Sequence, residues 1–344
     1  MANVLDIRRR IRSVRSTRQI TKAMKMISTA RLRKAQDRAL AARPYAQMLT
    51  NVLKSLVNRV EVVDPETGKA KHPLLEQRPE NTILLIVVTA DKGLAGAFNT
   101  NVLKAAMRFF QAKGVQNVEI AAIGRKARDF LRRRFPQRPE DGQERAGRVQ
   151  VASEQVGLGN IGFRMATEMA ERVIDRYCKG DIDAVYLVFN EFKSVIAQRI
   201  IVDRILPIEE IGEIDVKQAE EMSKHDKEVA AQAAAHGGIH AEPPDTSAMD
   251  AKAAQFGTSQ VDYIYEQSPK ELFEGLLPKY IAVQIFRALL ESTAAEQAAR
   301  MTAMESATNN ASDLIDSLTL KMNRARQASI TKEIIEIVSG AAAL

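Results

Sequence analysis

Residues 32–60 read LRKAQDRALAARPYAQMLTNVLKSLVNRV, and small or apolar side chains recur in this stretch at alternating steps of three and four. These positions, which we call the N-terminal seam, are Leu32, Ala35, Ala39, Ala42, Ala46, Leu49, Leu53, Leu56 and Val60. Such spacing is typical of a helix that packs along a second helix. Because residues 1–43 contain neither Pro nor Gly, the pattern predicts one helix from about residue 3 to about residue 60. That helix would bend at Pro44 and measure roughly 80 Å.

The other end of the chain has a matching pattern. Residues 279–344 contain no Pro and a single glycine, Gly340. Their C-terminal seam comprises Val283, Leu290, Ala294, Met301, Met304, Ala311, Ile315, Leu318, Met322 and Ala325. A second helix of roughly 90 Å is therefore predicted. Two such helices at opposite chain ends favour an antiparallel coiled coil, in which each helix buries the stripe of the other.

The middle of the chain alternates apolar strands with helical stretches. Strands are predicted at 82–89, 118–123 and 182–189, with an antiparallel edge strand at 195–206. We interpret this pattern as a Rossmann-like α/β domain inserted between the two arms. The predicted divisions are an N-terminal coiled-coil helix (1–60), the α/β domain (75–211), a flexible insertion (212–258), a foot segment (259–278) and a C-terminal coiled-coil helix (279–344). The first part of the insertion, 216–235, is predicted to be a short helix.

Charge is concentrated at the N-terminus. The net charge is +7, but residues 1–38 hold twelve Lys or Arg against Asp6 and Asp37. The single cysteine, Cys178, excludes an intramolecular disulfide and favours a reducing compartment. The first residues lack the apolar core of a secretory signal, and the longest apolar run, 83–88, is far shorter than the roughly 20 residues that span a bilayer. We therefore expect a soluble chain, or one at most peripheral to a membrane.

A glycine motif raises the possibility of cofactor binding. Gly157, Gly159 and Gly162 have the G-x-G-x-x-G spacing of a dinucleotide-binding loop, and Glu191 could supply the acid that such sites place on the ribose. The preceding residues, 151–156, contain three polar side chains, whereas a central parallel strand is almost continuously apolar. We interpret the motif as a turn into a helix, predict no cofactor, and keep an NAD-binding oxidoreductase as an alternative.

Two further local patterns are weaker. Residues 89–96, TADKGLAG, carry Lys92 before the glycines rather than after them, so a strand-to-helix connection capped by Asn99 or Thr100 is favoured over a phosphate loop. His236 and His240 have the i,i+4 spacing of metal ligands, but the glycines between them argue against a helix. No metal site is predicted.

The basic N-terminal helix could bind nucleic acid, an anionic membrane or acidic protein surfaces. No aromatic residue precedes Tyr45, so there is no stacking platform for bases. The apolar stripe is small and rich in alanine, which disfavours membrane insertion. Contact with other proteins is the remaining interpretation, and a basic-helix nucleic-acid adaptor is a further alternative.

Several longer motifs resemble one known family. ITKAMKMI (20–27), RLRKAQ (31–36), RPY (43–45), TADKGLAG (89–96), STAAEQAARMTAM (292–304), ATNN (307–310), ARQASITKE (325–333) and EIVSGAAA (336–343) are similar to the γ subunits of F-type ATP synthases. The likeness covers nearly the whole chain except 212–258. It implies a non-catalytic rotor that couples proton flow to ATP synthesis. Its partners would be the α and β subunits of the catalytic hexamer, ε and the c ring, at the cytoplasmic face of a bacterial plasma (inner) membrane.

The resemblance also implies partner-binding residues. Positions that contact the β subunits, or tune that contact, would be Met24, Lys25, Arg300, Arg326, Gln327 and Thr331. Core filling remains an alternative for Met24, and a solvated position for Arg326. The foot, which meets the c ring or ε, would include Asp262, Tyr263 and Tyr265. Because Cys178 is alone, the thiol switch of chloroplast relatives is not expected.

Overall fold

In the computed structural model, two long helices flank a central sheet. The structure describes residues 4–57, 60, 70–113, 117–135, 149–155, 161–208, 216–222, 224–239, 266 and 268–342. Helix α1 spans Val4–Val57 and helix α6 spans Pro269–Ala342. The predicted mixed α/β organisation, with helices at both chain ends and a sheet between them, is confirmed.

The sheet has six described strands in the order β3-β2-β1-β4-β5-β6. Strands β3, β2, β1 and β4 are mutually parallel, whereas β5 and β6 each pair antiparallel with the preceding strand. The elements between α1 and α6 are a 3₁₀ turn at Pro73–Leu75, β1 Thr82–Val88, α2 Phe98–Ala112, β2 Asn117–Ile123, α3 Arg125–Arg134, β3 Val149–Gln155, α4 Phe163–Cys178, β4 Ala184–Phe192, β5 Gln198–Leu206, β6 Val216–Glu221 and α5 Lys224–Gly237.

Both faces of the sheet are covered, which explains why its inner strands are almost continuously apolar. Ile83, Leu85 and Val87 of β1 pack with α2 and α3 on one face. Leu84 and Ile86 point to the other face, where they pack with α4, α6 and the last turns of α1. The α/β domain therefore packs directly on the C-terminal turns of α1 and the N-terminal part of α6.

The two long helices run in opposite directions along each other. Near the start of α1, Ile7 and Ile11 pack with Ile315 and Leu318 of α6. Further along α1, Leu32 packs in a cluster with residues 294–301 of α6. Both predicted seams are thus buried or half-buried along this contact.

Helix α6 begins ten residues before the predicted start at Lys279. Pro278 lies inside the helix, although an internal proline removes a backbone hydrogen bond and ordinarily ends a helix. Phe273, Leu277 and Ile281 on the same stretch are almost fully buried in the main core. We attribute the continued helix to this burial, which offsets the cost of the proline.

The prediction of a single helix over 216–235 is wrong. This stretch forms the separate elements β6 and α5. Strand β6 covers the free edge of β5, so β5 is not the edge strand that we expected. Helix α5 is kept in place by three alanines, Ala230, Ala233 and Ala234, which are buried against the long helices.

Two smaller expectations also need correction. A strand, β3, does precede the glycine motif, but among the described strands it is the outer one of the parallel set and pairs with β2 alone. The residue that caps α2 is Ala97, which makes no side-chain hydrogen bond. Asn99 lies inside the helix instead, where its Oδ1 accepts a hydrogen bond of 2.9 Å from the backbone N–H of Ala90. Thr100 is likewise within the helix.

Glu80, just before β1, joins three elements. Its carboxylate accepts hydrogen bonds from the Tyr186 hydroxyl of β4, at 2.6 Å, and from Lys113 beside the end of α2. Arg204 of β5 lies 3.8 Å away. Burial by itself raises the pKa of this carboxyl group, but the two hydrogen bonds and the neighbouring cations outweigh burial and lower the pKa from its usual 4.5.

We predict that Leu32→Ala destabilises the chain by about 3 kcal/mol, because it leaves a cavity at a fully buried contact between α1 and α6. The free energy of unfolding in urea measures the effect. Leu5→Ala is the matched control, since Leu5 is 56% exposed on the same helix. Equal effects of the two substitutions would contradict the packing of this seam.

We predict that Glu80→Gln lowers the free energy of unfolding by about 1–2 kcal/mol at neutral pH. Since the folded-state pKa is lowered, this stabilisation is present above the unfolded pKa of 4.5 and is lost as the pH falls through the folded-state value. Urea unfolding at stepped pH should therefore show the difference from the wild type shrinking in acid. Glu171→Gln, at an exposed position on α4, is the control. A difference that is independent of pH would exclude the carboxylate as its cause.

Candidate functional site

The first turns of α1 form a cationic surface. Its members are all exposed, and we call them the basic surface: Arg8, Arg9, Arg10, Arg12, Arg15, Arg18 and Lys22. The apolar stripe of the same helix faces α6, so these charges point away from the helix pair. Arg9 lies 3.8 Å from Asp6, and both side chains are highly exposed. This surface can meet an acidic partner at little desolvation cost.

Lys25 is held within the chain. Its ammonium group is ion-paired with Glu305 of α6, and only 14% of the lysine side chain and 8% of the glutamate side chain are exposed. His236, in the last turn of α5, places Nδ1 2.8 Å from the other carboxylate oxygen of Glu305. Met24 beside it is half-buried. Three helices thus meet at one buried carboxylate.

Helix α5 ends directly on α1. Arg33 donates hydrogen bonds to the carbonyl oxygens of Gly237 and Gly238, at 3.2 and 2.9 Å. A Cβ on Gly237 would lie 3.4 Å from the hydroxyl of Thr29, an ordinary contact distance, so the end of α5 lies against α1. The covering of the Lys25–Glu305 pair by α5 could not be read from the sequence, because the helix pattern of 224–237 does not indicate what it packs against.

Within the described residues, no cluster of His, Cys, Asp and Glu could hold a metal ion. His236 bonds a carboxylate that Lys25 also binds. His240, the other half of the weak histidine pattern, lies outside the described residues.

Arg300 is also an internal contact. It is 7% exposed, pairs with Glu296 at 2.7 Å and donates a hydrogen bond of 3.2 Å to the carbonyl of Gly93. Burial raises the pKa of Glu296, while the nearby guanidinium opposes this rise. Arg300 therefore joins α6 to the loop that follows β1.

That loop acts as a connection between elements. The Thr89 hydroxyl accepts a hydrogen bond from the backbone of Ala127 at 2.8 Å, and Asp91 accepts one from Arg125 at 3.0 Å, so the loop ties to the start of α3. Gly124 has a φ of +92°, and a Cβ there would lie 2.2 Å from the Thr89 carbonyl oxygen. These contacts occupy the carboxyl end of β1, as the strand-to-helix interpretation requires.

The glycine motif is described only in part. Gly157 and Gly159 lie outside the described residues. Gly162 is the N-cap residue of α4 and makes no side-chain cap bond. This part agrees with a turn that leads into a helix.

The end of α6 extends as a lone helix. Arg326, Gln327 and Thr331 are exposed there, and every described side chain from 326 to 339 is exposed. The same end has an apolar feature that we did not expect from the sequence, since it exposes Ile330, Ile334, Ile335, Ile337 and Val338. Their spacing of three and four beyond the C-terminal seam was the available signal. Exposed aliphatic side chains in this number indicate a surface that binds a partner.

The predicted foot residues Asp262, Tyr263 and Tyr265 lie outside the described residues. Among the residues that the structure describes, no helix combines the length and apolar character needed to cross a membrane.

Comparison with known proteins gives a consistent result over the full chain. The family model described as ATP synthase matches residues 3–344. A protein of Solibacter usitatus named ATP synthase gamma chain is 45% identical over 344 residues, covering 100% of this chain and 99% of the relative. A protein of the same name from Anaeromyxobacter sp. strain Fw109-5 is 42% identical over 350 residues, covering 100% of both.

A solved structure supports the fold. A chain in the cryo-EM structure of the Euglena gracilis mitochondrial ATP synthase (OSCP/F1/c-ring, rotational state 3) is similar, with a TM-score of 0.56 at 18% identity, covering 99% of this chain and 94% of that one. Identity over the full length, rather than this fold similarity, decides the assignment. The chain therefore belongs to the ATP synthase gamma chain family.

Proposed function

We propose that α1 and α6 turn together as one shaft, which transmits torque between a proton-driven c ring and a catalytic hexamer of α and β subunits. The gamma chain is the non-catalytic subunit of the central stalk, so nucleotide chemistry takes place on other subunits. Because the chain matches this family over its full length, we no longer consider an oxidoreductase or a nucleic-acid adaptor as its function.

One observation carries the proposal: the antiparallel contact of α1 with α6, whose two ends differ in surroundings. At one end, both helices pack on the sheet. Toward the other, Ile7 and Ile11 contact α6, and the side chains at 326–339 of α6 are exposed on all sides. A helix pair anchored at one end and free at the other is suited to carry rotation from a supported domain into a surrounding assembly.

We also propose that the helix pair is an antiparallel coiled coil and that the central unit is a Rossmann-like domain. Buried contacts between the two seams support the first description, and the four parallel strands support the second. We also propose that the chain divides functionally into 1–60, 75–211, 212–258, 259–278 and 279–344, with 212–258 as a family-atypical insertion.

The predicted residues fall into two groups with respect to the β subunits. Arg326, Gln327 and Thr331 are exposed and free to contact them directly. Lys25 and Arg300 are buried in pairs within the chain, so they would tune the contact by holding the shaft in shape. Met24 is half-buried, so it would likewise act by packing within the helix pair. The basic surface of α1 would meet acidic loops of the hexamer through weak, exchangeable ion pairs, which a rotating element requires.

The opposite end would meet the membrane part of the enzyme. We propose that Asp262, Tyr263 and Tyr265 contribute to a foot that binds the c ring or ε. The chain would then lie at the cytoplasmic face of a bacterial inner membrane and be held there through its complex.

Single-molecule rotation tests the proposal. Cys178 is exposed at the end of α4 and is the only cysteine of the chain, so a bead can be attached to it specifically when the other subunits lack cysteine. With the hexamer fixed to glass, ATP should drive stepwise rotation of the bead in one direction. Hydrolysis by the hexamer with a stationary bead would refute a turning shaft.

We predict that Arg326→Ala lowers coupled ATP synthesis about three- to tenfold, as expected for the loss of one charged contact to a partner. The free energy of unfolding should change by less than about 0.5 kcal/mol, because Arg326 is exposed. Lys321→Ala, at an exposed position of the same helix, is the control. Wild-type synthesis in the Arg326 variant would remove it from the contact.

We predict that Lys25→Met destabilises the chain by about 3 kcal/mol, because it leaves the Glu305 carboxylate buried without its lysine partner. Lys22→Met, at an exposed position, should have little effect. Unfolding in urea measures both.

A double variant separates an internal role of Lys25 from a direct contact. Lys25→Met combined with Glu305→Leu removes both charges, and an apolar pair of similar size can restore stability. If Lys25 acts only within the shaft, ATP synthesis should recover together with stability. Restored stability without restored synthesis would instead mean that Lys25 contacts a partner directly.

A further inference from the structure

A cavity of about 640 Å³ opens beside the junction of the shaft and the α/β domain. Helices α1 and α6, the start of α4 and the end of β4 enclose it. Its apolar walls include Ala39, Ala42 and Ala46 of α1 and Val283, Phe286 and Leu290 of α6. The three alanines of the N-terminal seam leave this space because their side chains are too short to reach across it. The volume lies in the range of small-molecule sites.

The buried charges in this cavity are neutralised within the chain. Arg287 donates a hydrogen bond of 2.7 Å to Glu291, and another of its nitrogens lies 3.6 Å from Glu191. Glu191 is also paired with Arg199. The carboxylates of Glu291 and Glu191 are therefore both paired with arginine. One polar atom remains: Oε2 of Glu291 is buried and has no hydrogen-bond partner among the described residues.

Two further cations, Arg43 and Lys193, line the cavity. The charge of Arg43 acts on the nearby Glu291 carboxylate and favours its ionised form, so the lining holds three cations, with Arg287, against the two carboxylates. Arg43 is half-buried, and Lys193 is exposed. Exposed aromatic rings of Tyr45 and Phe163 also contribute to the lining, and the Phe163 ring packs edge-on against Phe286. The result is an apolar cavity with excess positive charge and aromatic side chains at its accessible parts.

From the cavity and the excess of cations in its lining, we propose that this site binds a small amphipathic organic anion. The apolar or aromatic body of the ligand would fill the space between α1 and α6. Its anionic group would pair with Arg43 and Lys193, since charge-assisted hydrogen bonds are the strongest available there. A ligand in this position would contact both the shaft and the α/β domain, and the proposal goes beyond the role of the chain in the stalk.

The test uses 8-anilino-1-naphthalenesulfonate, an anionic naphthalene whose fluorescence rises in apolar sites, with the chain assembled with its α and β subunits. We expect saturable binding that Ala42→Trp weakens at least tenfold, because the indole would occupy the cavity. Ala41→Trp places the same ring on the exposed side of α1 and should leave the affinity unchanged.

A second substitution probes the charge without filling the cavity. Arg43→Ala should weaken binding about fivefold or more through the lost ion pair, whereas Arg38→Ala, at an exposed position, should have no effect. Circular dichroism checks that each variant is folded.

Three results would overturn the proposal: no saturable binding to the wild-type complex, equal affinities of the Ala42 and Ala41 variants, or equal affinities of the Arg43 and Arg38 variants. Binding to the free chain but not to the complex would mean that a partner subunit covers the cavity, and this outcome would also reject a small-molecule site.

Discussion

Neither long helix can bury its apolar stripe alone, and this constraint governs the rest of the structure. Along the first turns of α1, Ile7 and Ile11 gain their apolar cover from Ile315 and Leu318 of α6, some 300 residues later in the chain. The two ends of the chain must therefore meet before either helix is stable, since an isolated helix gains little from propensity alone. The direction of their packing then places the start of α1 and the end of α6 at the same end of the helix pair, away from the sheet.

Polar contacts within the seams determine how the helices align. The hydroxyls of Thr21 and Thr308 lie 2.8 Å apart, and one turn further Lys25 pairs with Glu305. A shift of one helical turn would separate these partners and leave a buried carboxylate without its lysine, which costs several kcal/mol. The N-terminal part of α6 also packs in the core that covers the sheet. One continuous helix of 74 residues therefore connects the α/β domain with the shaft. Torque applied to the domain would consequently be passed to the shaft without a flexible joint at α6.

Local periodicity explains which features could be predicted from sequence. The seams and the buried strands follow from spacings of three and four or from continuous apolar runs, and Leu32, Leu53 and Met301 are buried as their spacing predicts. The same information could not show that Lys25 pairs with Glu305, because that contact depends on the relative position of two distant segments. The predicted start of α6 at Lys279 was wrong because Pro278 ordinarily ends a helix. The sequence does not show that burial of Phe273 and Leu277 compensates for the hydrogen bond lost at this proline. The position of helix α5 could not be predicted for a related reason. Its alanines are small and weakly apolar, so the sequence does not indicate which surface they pack against.

Joining α1 and α6 covalently tests the central claim most directly. Thr21→Cys and Thr308→Cys, combined with Cys178→Ser, place two thiols where the hydroxyls are 2.8 Å apart, within reach of a disulfide. Coupled ATP synthesis would be measured on the same assembled enzyme after oxidation and again after reduction. If the helices turn as one body, the two rates should be equal, because the bond joins parts that do not move relative to each other. A loss of synthesis on oxidation that reduction restores would show that the helices must move against each other, and would contradict the account.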